Sequence, residues 1–255
     1  MRFGFLDKFL GSVVKYRKDT LLHIAVRTND IDLVRFFLNE NIDTIKLKGR
    51  NRYVGVLRFF KERDCRKYLS KKNKYGYTPL HLAIKDEAQR EIIEELINHM
   101  NKEDLNIKND NGETALHLAV FCRRFDIAKL LIRKGADVNV RDKYSKTIVH
   151  DVVRTMNAEI LEFLLKEGVD LYSTDSNGRI PLERACGYLK SAKSFVASNE
   201  LEEREKNEKV KCREKIVCML DNHMREEMDE EFCRKGLEKK DMGFTKNCRE
   251  NVDIW

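Results

Sequence analysis

Residues 109–142 read NDNGETALHLAVFCRRFDIAKLLIRKGADVNVRD and hold one complete structural unit. The unit opens with residues typical of tight turns, and Gly112 can adopt the positive φ that such turns require. The hydroxyl of Thr114 can cap a following helix by accepting a backbone N–H of its first turn. The sequence therefore predicts a turn followed by a short helix at about 115–121.

A second helix is predicted at about 126–133 within the same unit. Ile127, Leu130 and Leu131 recur there at helical spacing and define one apolar face. Gly135 follows at the position of a left-handed C-terminal cap. One helix pair of this size cannot bury its apolar face alone, which predicts that copies of the unit stack on one another.

Four further copies are marked by the tetrad at the start of the first helix. From Thr78 onward the tetrads follow one another at a nearly constant interval, whereas the interval between the first two tetrads is much longer. Both prolines of the chain occupy the second tetrad position, where a missing backbone N–H costs nothing. The tetrads are TLLH at Thr20, TPLH at Thr78, TALH at Thr114, TIVH at Thr147 and IPLE at Ile180.

This period and the T-P-L-H-x-A tetrad resemble those of ankyrin-repeat proteins over about residues 16–186. The resemblance implies an all-α ankyrin-repeat solenoid of about five helical hairpins with β-turn tips. Ser145 replaces the turn glycine of the fourth repeat, so that turn is expected to be strained or differently shaped. The predicted repeats are 18–43, 73–108, 109–141, 142–174 and 175–224, the last with an internal insertion at about 187–209.

The segments outside the repeats leave alternatives open. Residues 1–17 carry apolar side chains at helical spacing and are expected to form a capping helix over the first repeat. The alternative is an amphipathic helix on a membrane surface. The inserted ELEEREKNEKVK is an exposed helix or a mobile segment, and the polar residues 225–255 are an irregular extension that forms a cap or carries a partner motif.

The segment 44–72 interrupts the period and is either a basic insertion or a degenerate repeat. Residues 44–74 carry a net charge of +10, whereas the whole chain carries +7. The segment is either a solvated basic helix or a patch that binds an acidic protein, nucleic acid or an anionic membrane. Its basic residues are Lys46, Lys48, Arg50, Arg52, Arg58, Lys61, Arg63, Arg66, Lys67, Lys71, Lys72 and Lys74.

Composition favours an intracellular, cytoplasmic protein. No apolar run approaches the roughly 18 residues of a membrane-spanning helix, and the N-terminus lacks a signal-peptide pattern. Seven cysteines without framework spacing fit reduced thiols better than disulfides.

Neither catalysis nor metal binding is predicted. Four of the six histidines, His23, His81, His117 and His150, lie in the tetrads, and the resemblance implies that they are buried structural residues. The cysteines and histidine of residues 212–248 lack zinc-knuckle spacing, and Cys218 is expected to face the core of its helix. No phosphate-binding loop is present, so we expect no cofactor.

The resemblance also implies which residues contact a partner, because ankyrin proteins generally bind through the turn tips and the exposed end of the inner helix, on the concave side. Tyrosine and arginine, which dominate binding energy at interfaces, are frequent at these positions. Tyr75, Tyr77, Phe121 and Tyr144 would form an apolar stripe. The matching positions are Tyr16, Arg17, Arg27, Lys74, Tyr75, Tyr77, Lys85, Glu113, Phe121, Cys122, Lys143, Tyr144, Lys146, Arg154 and Arg179.

The sequence thus predicts a non-catalytic module that binds an intracellular protein with an acidic surface. The alternative is an adaptor for nucleic acid or anionic membranes that uses residues 1–18 and 44–74. An enzyme hidden in the insertion and C-terminal extension ranks lowest. The divergent, lysine-rich repeats also resemble ankyrin proteins of viruses and intracellular bacteria that act on host proteins, which suggests a host-directed effector or inhibitor.

Overall fold

The computed structural model describes residues 19–38 and 68–235, and this part of the chain is helical without strands. The all-α prediction is therefore confirmed. The proposed N-terminal cap, residues 44–67 of the basic segment and residues 236–255 lie outside the described residues. The helices are α1 (Leu21–Arg27), α2 (Ile31–Leu38), α3 (Pro79–Lys85), α4 (Arg90–Asn98), α5 (Lys102–Leu105), α6 (Ala115–Phe121), α7 (Phe125–Arg133), α8 (Ile148–Thr155), α9 (Ala158–Lys166), α10 (Pro181–Ser194) and α11 (Glu200–Lys235).

The tetrad histidine completes the N-terminal cap of four inner helices, α1, α3, α6 and α8. In α3 the backbone N–H of Thr78 donates to Nδ1 of His81 over 3.2 Å. The backbone N–H of His81 lies 3.4 Å from the Thr78 hydroxyl oxygen. This is the reciprocal arrangement of a capping box, in which histidine replaces the usual Glu or Gln. In the fifth tetrad the carboxylate of Glu183 takes that role and accepts the N–H of Ile180 over 3.0 Å.

The turns before α3, α6 and α10 are each organised by the side chain of their first residue, Asn73, Asn109 and Asp175. The Asn109 side-chain oxygen accepts the backbone N–H groups of Asn111 and Glu113 over 2.8 and 3.0 Å. Gly112 adopts a φ of 75°, and a Cβ there would lie 2.6 Å from the backbone nitrogen of Lys143. Glycine is thus required at this position both by its φ and by the close approach of the next turn.

Ser145 occupies the equivalent turn position of the fourth repeat and adopts a φ of 58°. The turn glycines have φ values of 72° to 75°. The Ser145 turn therefore keeps the left-handed shape of the others and is strained rather than differently shaped.

We expect Ser145→Gly to stabilise the protein. Relief of the left-handed strain is worth about 1–2 kcal/mol, and the added freedom of the unfolded chain offsets about 0.4–1 kcal/mol of it. The net gain in the free energy of unfolding is then about 0.5–1 kcal/mol, measurable by urea denaturation. Ser145→Ala is the control, since alanine keeps the strain; an equal gain from alanine would contradict the explanation.

The described chain divides into two compact units, 1–143 and 144–255, and each stacks helix pairs in the same way. In the first unit, inner helix α3 packs between α1 and α6, and outer helix α4 packs between α2 and α7. The buried face of α4 consists of Ile92, Ile93, Leu96 and Ile97. These contacts bury the apolar faces that no single pair could bury alone.

The first two described pairs of this unit are direct neighbours despite the long interval between their tetrads. Nε2 of His23 donates to the Tyr77 carbonyl over 2.8 Å, and the Asn73 amide donates to buried Asp19 over 2.9 Å. His150 makes the same contact with the Arg179 carbonyl over 3.1 Å, where the two tetrads are separated by the ordinary repeat interval. The pairs that begin at Thr20 and Thr78 therefore stack directly on each other, and residues 39–67 connect them.

In the second unit, α8 packs against α9 and α10, while α11 packs against α9 and α10. The predicted insertion at 187–209 is not a separate segment between two helices of ordinary length. Residues 187–194 extend α10, and residues 200–209 begin the 36-residue α11, as the exposed-helix alternative stated. The irregular extension predicted from residue 225 is also corrected, because α11 continues to Lys235.

Side-chain periodicity in α11 explains why Cys218 is exposed rather than buried. Ile216, Val217, Leu220 and Met224 are buried and define the inner face of α11. Cys218 falls on the opposite face and is exposed, so the prediction that it faces the core was wrong.

Candidate functional site

A groove of about 380 Å³ lies in the first unit, where three successive repeats meet. The end of α1 contributes one residue to it, and α3 and the turn before it contribute most of the others. The next turn closes the groove with Asp110 and Asn111. Its volume falls within the range of about 300–1,000 Å³ that is typical of ligand sites. The lining residues are Arg27, Lys74, Tyr75, Tyr77, Leu82, Lys85, Asp86, Asp110 and Asn111.

Two lysines of the groove lie over tyrosine rings. The Lys74 ammonium lies 4.8 Å from the centroid of the Tyr75 ring. The Lys85 ammonium lies 4.4 Å from the Tyr77 centroid and donates to the Tyr77 hydroxyl over 3.2 Å. Such cation–π contacts position an ammonium without neutralising its charge. Within residues 19–38 and 68–235, neither lysine forms an ion pair with a carboxylate.

Arg27 adds a third cation, which the first repeat fixes in place. Its Nε lies 3.6 Å from a carboxylate oxygen of Asp19, whose side chain is fully buried, while 28% of the Arg27 side chain is exposed. The other Asp19 oxygen accepts from the side chain of Asn73. The buried carboxylate thus anchors the guanidinium at the edge of the groove.

The histidines beneath the groove are structural. Burial lowers the pKa of His81 to about 4, although the Glu113 carbonyl raises it, and the positive charge of Lys72 lowers it further. Burial likewise lowers the pKa of His23. Both rings are therefore neutral at pH 7. Their Nδ1 atoms accept the backbone N–H of the cap residue, so both rings serve to hold the helix ends.

The remaining predicted residues of the first unit lie outside the groove lining. The Glu113 carboxylate accepts from the side chain of Asn109 over 2.8 Å, so it stabilises its own turn. Phe121 is 54% exposed at the end of α6. Cys122 is half-buried, and burial raises the pKa of its thiol. Lys143 donates to Asn111 through both its backbone N–H and its ammonium.

Of the four predicted residues of the second unit, Tyr144, Arg154 and Arg179 are exposed and Lys146 is half-buried. Tyr144 is 50% exposed, and the Lys146 ammonium lies 5.3 Å from the centroid of its ring. The Arg154 guanidinium lies 3.8 Å from Asp151. Arg179 is exposed, and its carbonyl accepts from His150.

Part of the predicted contact set lies outside the described residues. Tyr16, Arg17 and the basic residues from Lys46 to Lys67 lie outside the described residues, whereas Lys71 and Lys72 are described and exposed. Sequence reasoning also missed the acidic members of the groove, Asp86 and Asp110. The signal for Asp86 was its position just after an inner helix, where the neighbouring repeats have Thr28 and Cys122.

The described residues offer neither a metal site nor a membrane-spanning helix. No group of three or more His, Cys, Asp or Glu side chains placed to hold a metal ion occurs in the described part of the chain. No helix described in the structure combines the length and apolar character needed to cross a membrane.

Family comparisons agree with this architecture. A family model described as "Ankyrin repeats (3 copies)" matches residues 50–142, and one described as "Ankyrin repeats (many copies)" matches residues 131–185. A third, "Ankyrin repeat", matches residues 17–47. No curated protein matches the chain. The three matches together span about two thirds of the sequence, and the chain therefore belongs to the ankyrin-repeat family.

Proposed function

We propose that this protein is a non-catalytic interaction module that binds an intracellular protein with an acidic surface, and that the groove of the first unit is a principal contact site. Ankyrin repeats are in general modules for protein–protein interaction. The observation that carries the proposal is the pair of lysines held over tyrosine rings, since their charge is positioned but not paired. A carboxylate of a partner would pair with both lysines and pack against the rings.

Four residues of the second unit are proposed as further contacts. Tyr144, Lys146, Arg154 and Arg179 repeat the combination of aromatic and basic side chains. The basic segment would raise the association rate by long-range attraction, because its charge exceeds that of the whole chain. The proposed biological role is that of a host-directed effector or inhibitor, because the repeats resemble ankyrin proteins of viruses and intracellular bacteria.

The test uses a binding partner captured from a candidate host lysate by the full chain. The double variant Lys74→Glu/Lys85→Glu is expected to lower the association rate constant about tenfold or more at low salt, because attraction becomes repulsion. Surface plasmon resonance at two salt concentrations measures this effect. The double variant Lys190→Glu/Lys211→Glu is the matched control, since it changes the net charge equally and both lysines are exposed in the other unit. An association rate constant that does not change in the Lys74→Glu/Lys85→Glu variant would refute the proposed contact site.

The second candidate function is binding to nucleic acid or an anionic membrane through residues 44–74. The net charge of +10 favours it, and Lys71 and Lys72 are exposed at the described end of the segment. Binding of this kind would weaken steeply with salt as counterions are displaced. A DNA mobility-shift assay and co-sedimentation with vesicles containing phosphatidylserine separate it from protein binding.

A further inference from the structure

The groove carries negative as well as positive side chains. Asp86 and Asp110 line it together with the three cations, and both are exposed. Neither carboxylate forms an ion pair with another described residue. The cations are held by tyrosine rings and by Asp19, so the two acidic side chains are not needed to position them.

The position of Asp86 is electrostatically unfavourable for the fold. Asp86 is the C-cap residue of α3, at the end of a helix where backbone carbonyls concentrate negative charge. The equivalent residues of the neighbouring repeats are the uncharged Thr28 and Cys122. Folding thus does not require a carboxylate here, whereas a cation bound at this point would be attracted by both the side chain and the helix end.

The second carboxylate, that of Asp110, can lie in the groove because residue 76 is glycine. A Cβ built on Gly76 would lie within van der Waals overlap of the Asp110 side chain and 2.4 Å from the Asp110 backbone nitrogen. Gly76 therefore allows the turn that carries Asp110 to lie against the turn that carries Lys74 and Tyr75. As a result, opposite charges from adjacent repeats line the same groove.

We propose that the groove selects a segment of the partner that carries a carboxylate and a cationic side chain close together, rather than a uniformly acidic segment; this inference rests on the proposed function. The partner carboxylate pairs with Lys74 and Lys85, and its Lys or Arg pairs with Asp86 and Asp110. A purely acidic segment is attracted by Lys74 and Lys85 but repelled by the two groove carboxylates. Discrimination then comes from the repulsive element as well as the attractive one.

The experiment uses four defined peptides of one length in a common Ala/Ser frame with blocked ends. One carries Glu and Lys two positions apart, on the same face of an extended chain. The others carry Glu with Gln, Gln with Lys, and Gln with Gln. Binding to the full chain is followed by NMR titration. The Glu/Lys peptide is expected to bind about threefold to tenfold more tightly than the Glu/Gln peptide, as two weak surface ion pairs allow.

Variants assign the effect to the two carboxylates. Asp86→Asn/Asp110→Asn is expected to remove the preference for Glu/Lys over Glu/Gln, while binding of the Glu/Gln peptide stays equal or improves. Glu91→Gln, on the exposed side of α4, is the control and should leave the preference intact. Equal binding of the Glu/Lys and Glu/Gln peptides to the unaltered chain overturns the inference but leaves the acidic-partner proposal standing. Failure of both peptides to bind above the Gln/Gln peptide overturns both.

Discussion

Lowering the pH from 7 to 4 is expected to reduce the free energy of unfolding of the first unit by about 3 kcal/mol through His81 alone. The pKa of His81 is about 4 in the folded protein, against 6.5 for an ordinary histidine. Below pH 6.5 the unfolded chain binds a proton that the folded chain excludes, so stability falls as the pH falls. The folded and unfolded pKa values differ by about 2.5 units, and each unit is worth about 1.36 kcal/mol of stability. Most of this stability is lost by pH 4.

Urea unfolding of the full chain at pH 7, 6, 5 and 4 measures this dependence. His81→Gln is the control, because glutamine can accept the Thr78 N–H as in an ordinary capping box but does not titrate. The variant is expected to be less stable at pH 7 and to lose less stability between pH 7 and 4. His23, whose pKa is also lowered by burial, keeps part of the dependence in the variant. Identical pH profiles for the two proteins would show that His81 is not the group responsible.

Asp175→Ala is expected to lower the free energy of unfolding of the second unit by about 3 kcal/mol, because it removes both an ion pair and the acceptor of two backbone N–H groups. One oxygen of Asp175 accepts the backbone N–H groups of Asn177 and Arg179. The other lies 3.0 Å from the guanidinium of Arg184, which is 19% exposed. Burial raises the pKa of Asp175, but the two N–H donors and the guanidinium outweigh it, so the pKa lies below its usual value.

Asp175→Asn separates the contribution of the turn hydrogen bonds from that of the ion pair with Arg184. Asn73 and Asn109 occupy the equivalent turn position and accept the same pair of backbone N–H groups. Asparagine at 175 therefore keeps the turn and loses only the ion pair, and we expect a loss of about 1 kcal/mol. Thermal unfolding followed by circular dichroism compares the two variants. If asparagine destabilises as much as alanine, the ion pair rather than the turn carries the stability.

The elements that recur along the chain were the ones that could be predicted. The TALH tetrad depends on contacts between near neighbours in sequence, and the turn glycine depends on its own positive φ, so both patterns are visible locally and recur along the chain. The structural role of His81 was implied by the resemblance, and its cap contacts with Thr78 agree with that role. The resemblance supplied the positions of Lys74, Tyr75, Tyr77 and Lys85, and the structure brings these four into one groove.

The acidic side of the groove could not be predicted, because it depends on contacts between repeats. Asp110 reaches the groove only because Gly76, in the preceding repeat, leaves room for it. The long α11 was missed for a different reason. Its charged first half has no apolar face, so periodicity could not join it to the buried face around Leu220. Single-sequence periodicity detects what a helix buries rather than how far it continues.

The direct contact between His23 and the Tyr77 carbonyl has a consequence for how this protein can be altered. Because the helix pairs that begin at Thr20 and Thr78 contact each other directly, side chains on either side of residues 39–67 fix how these two pairs stack. A foreign sequence inserted within residues 39–67, such as a fluorescent reporter or a second binding domain, is therefore expected to leave the stacking of these two helix pairs unchanged.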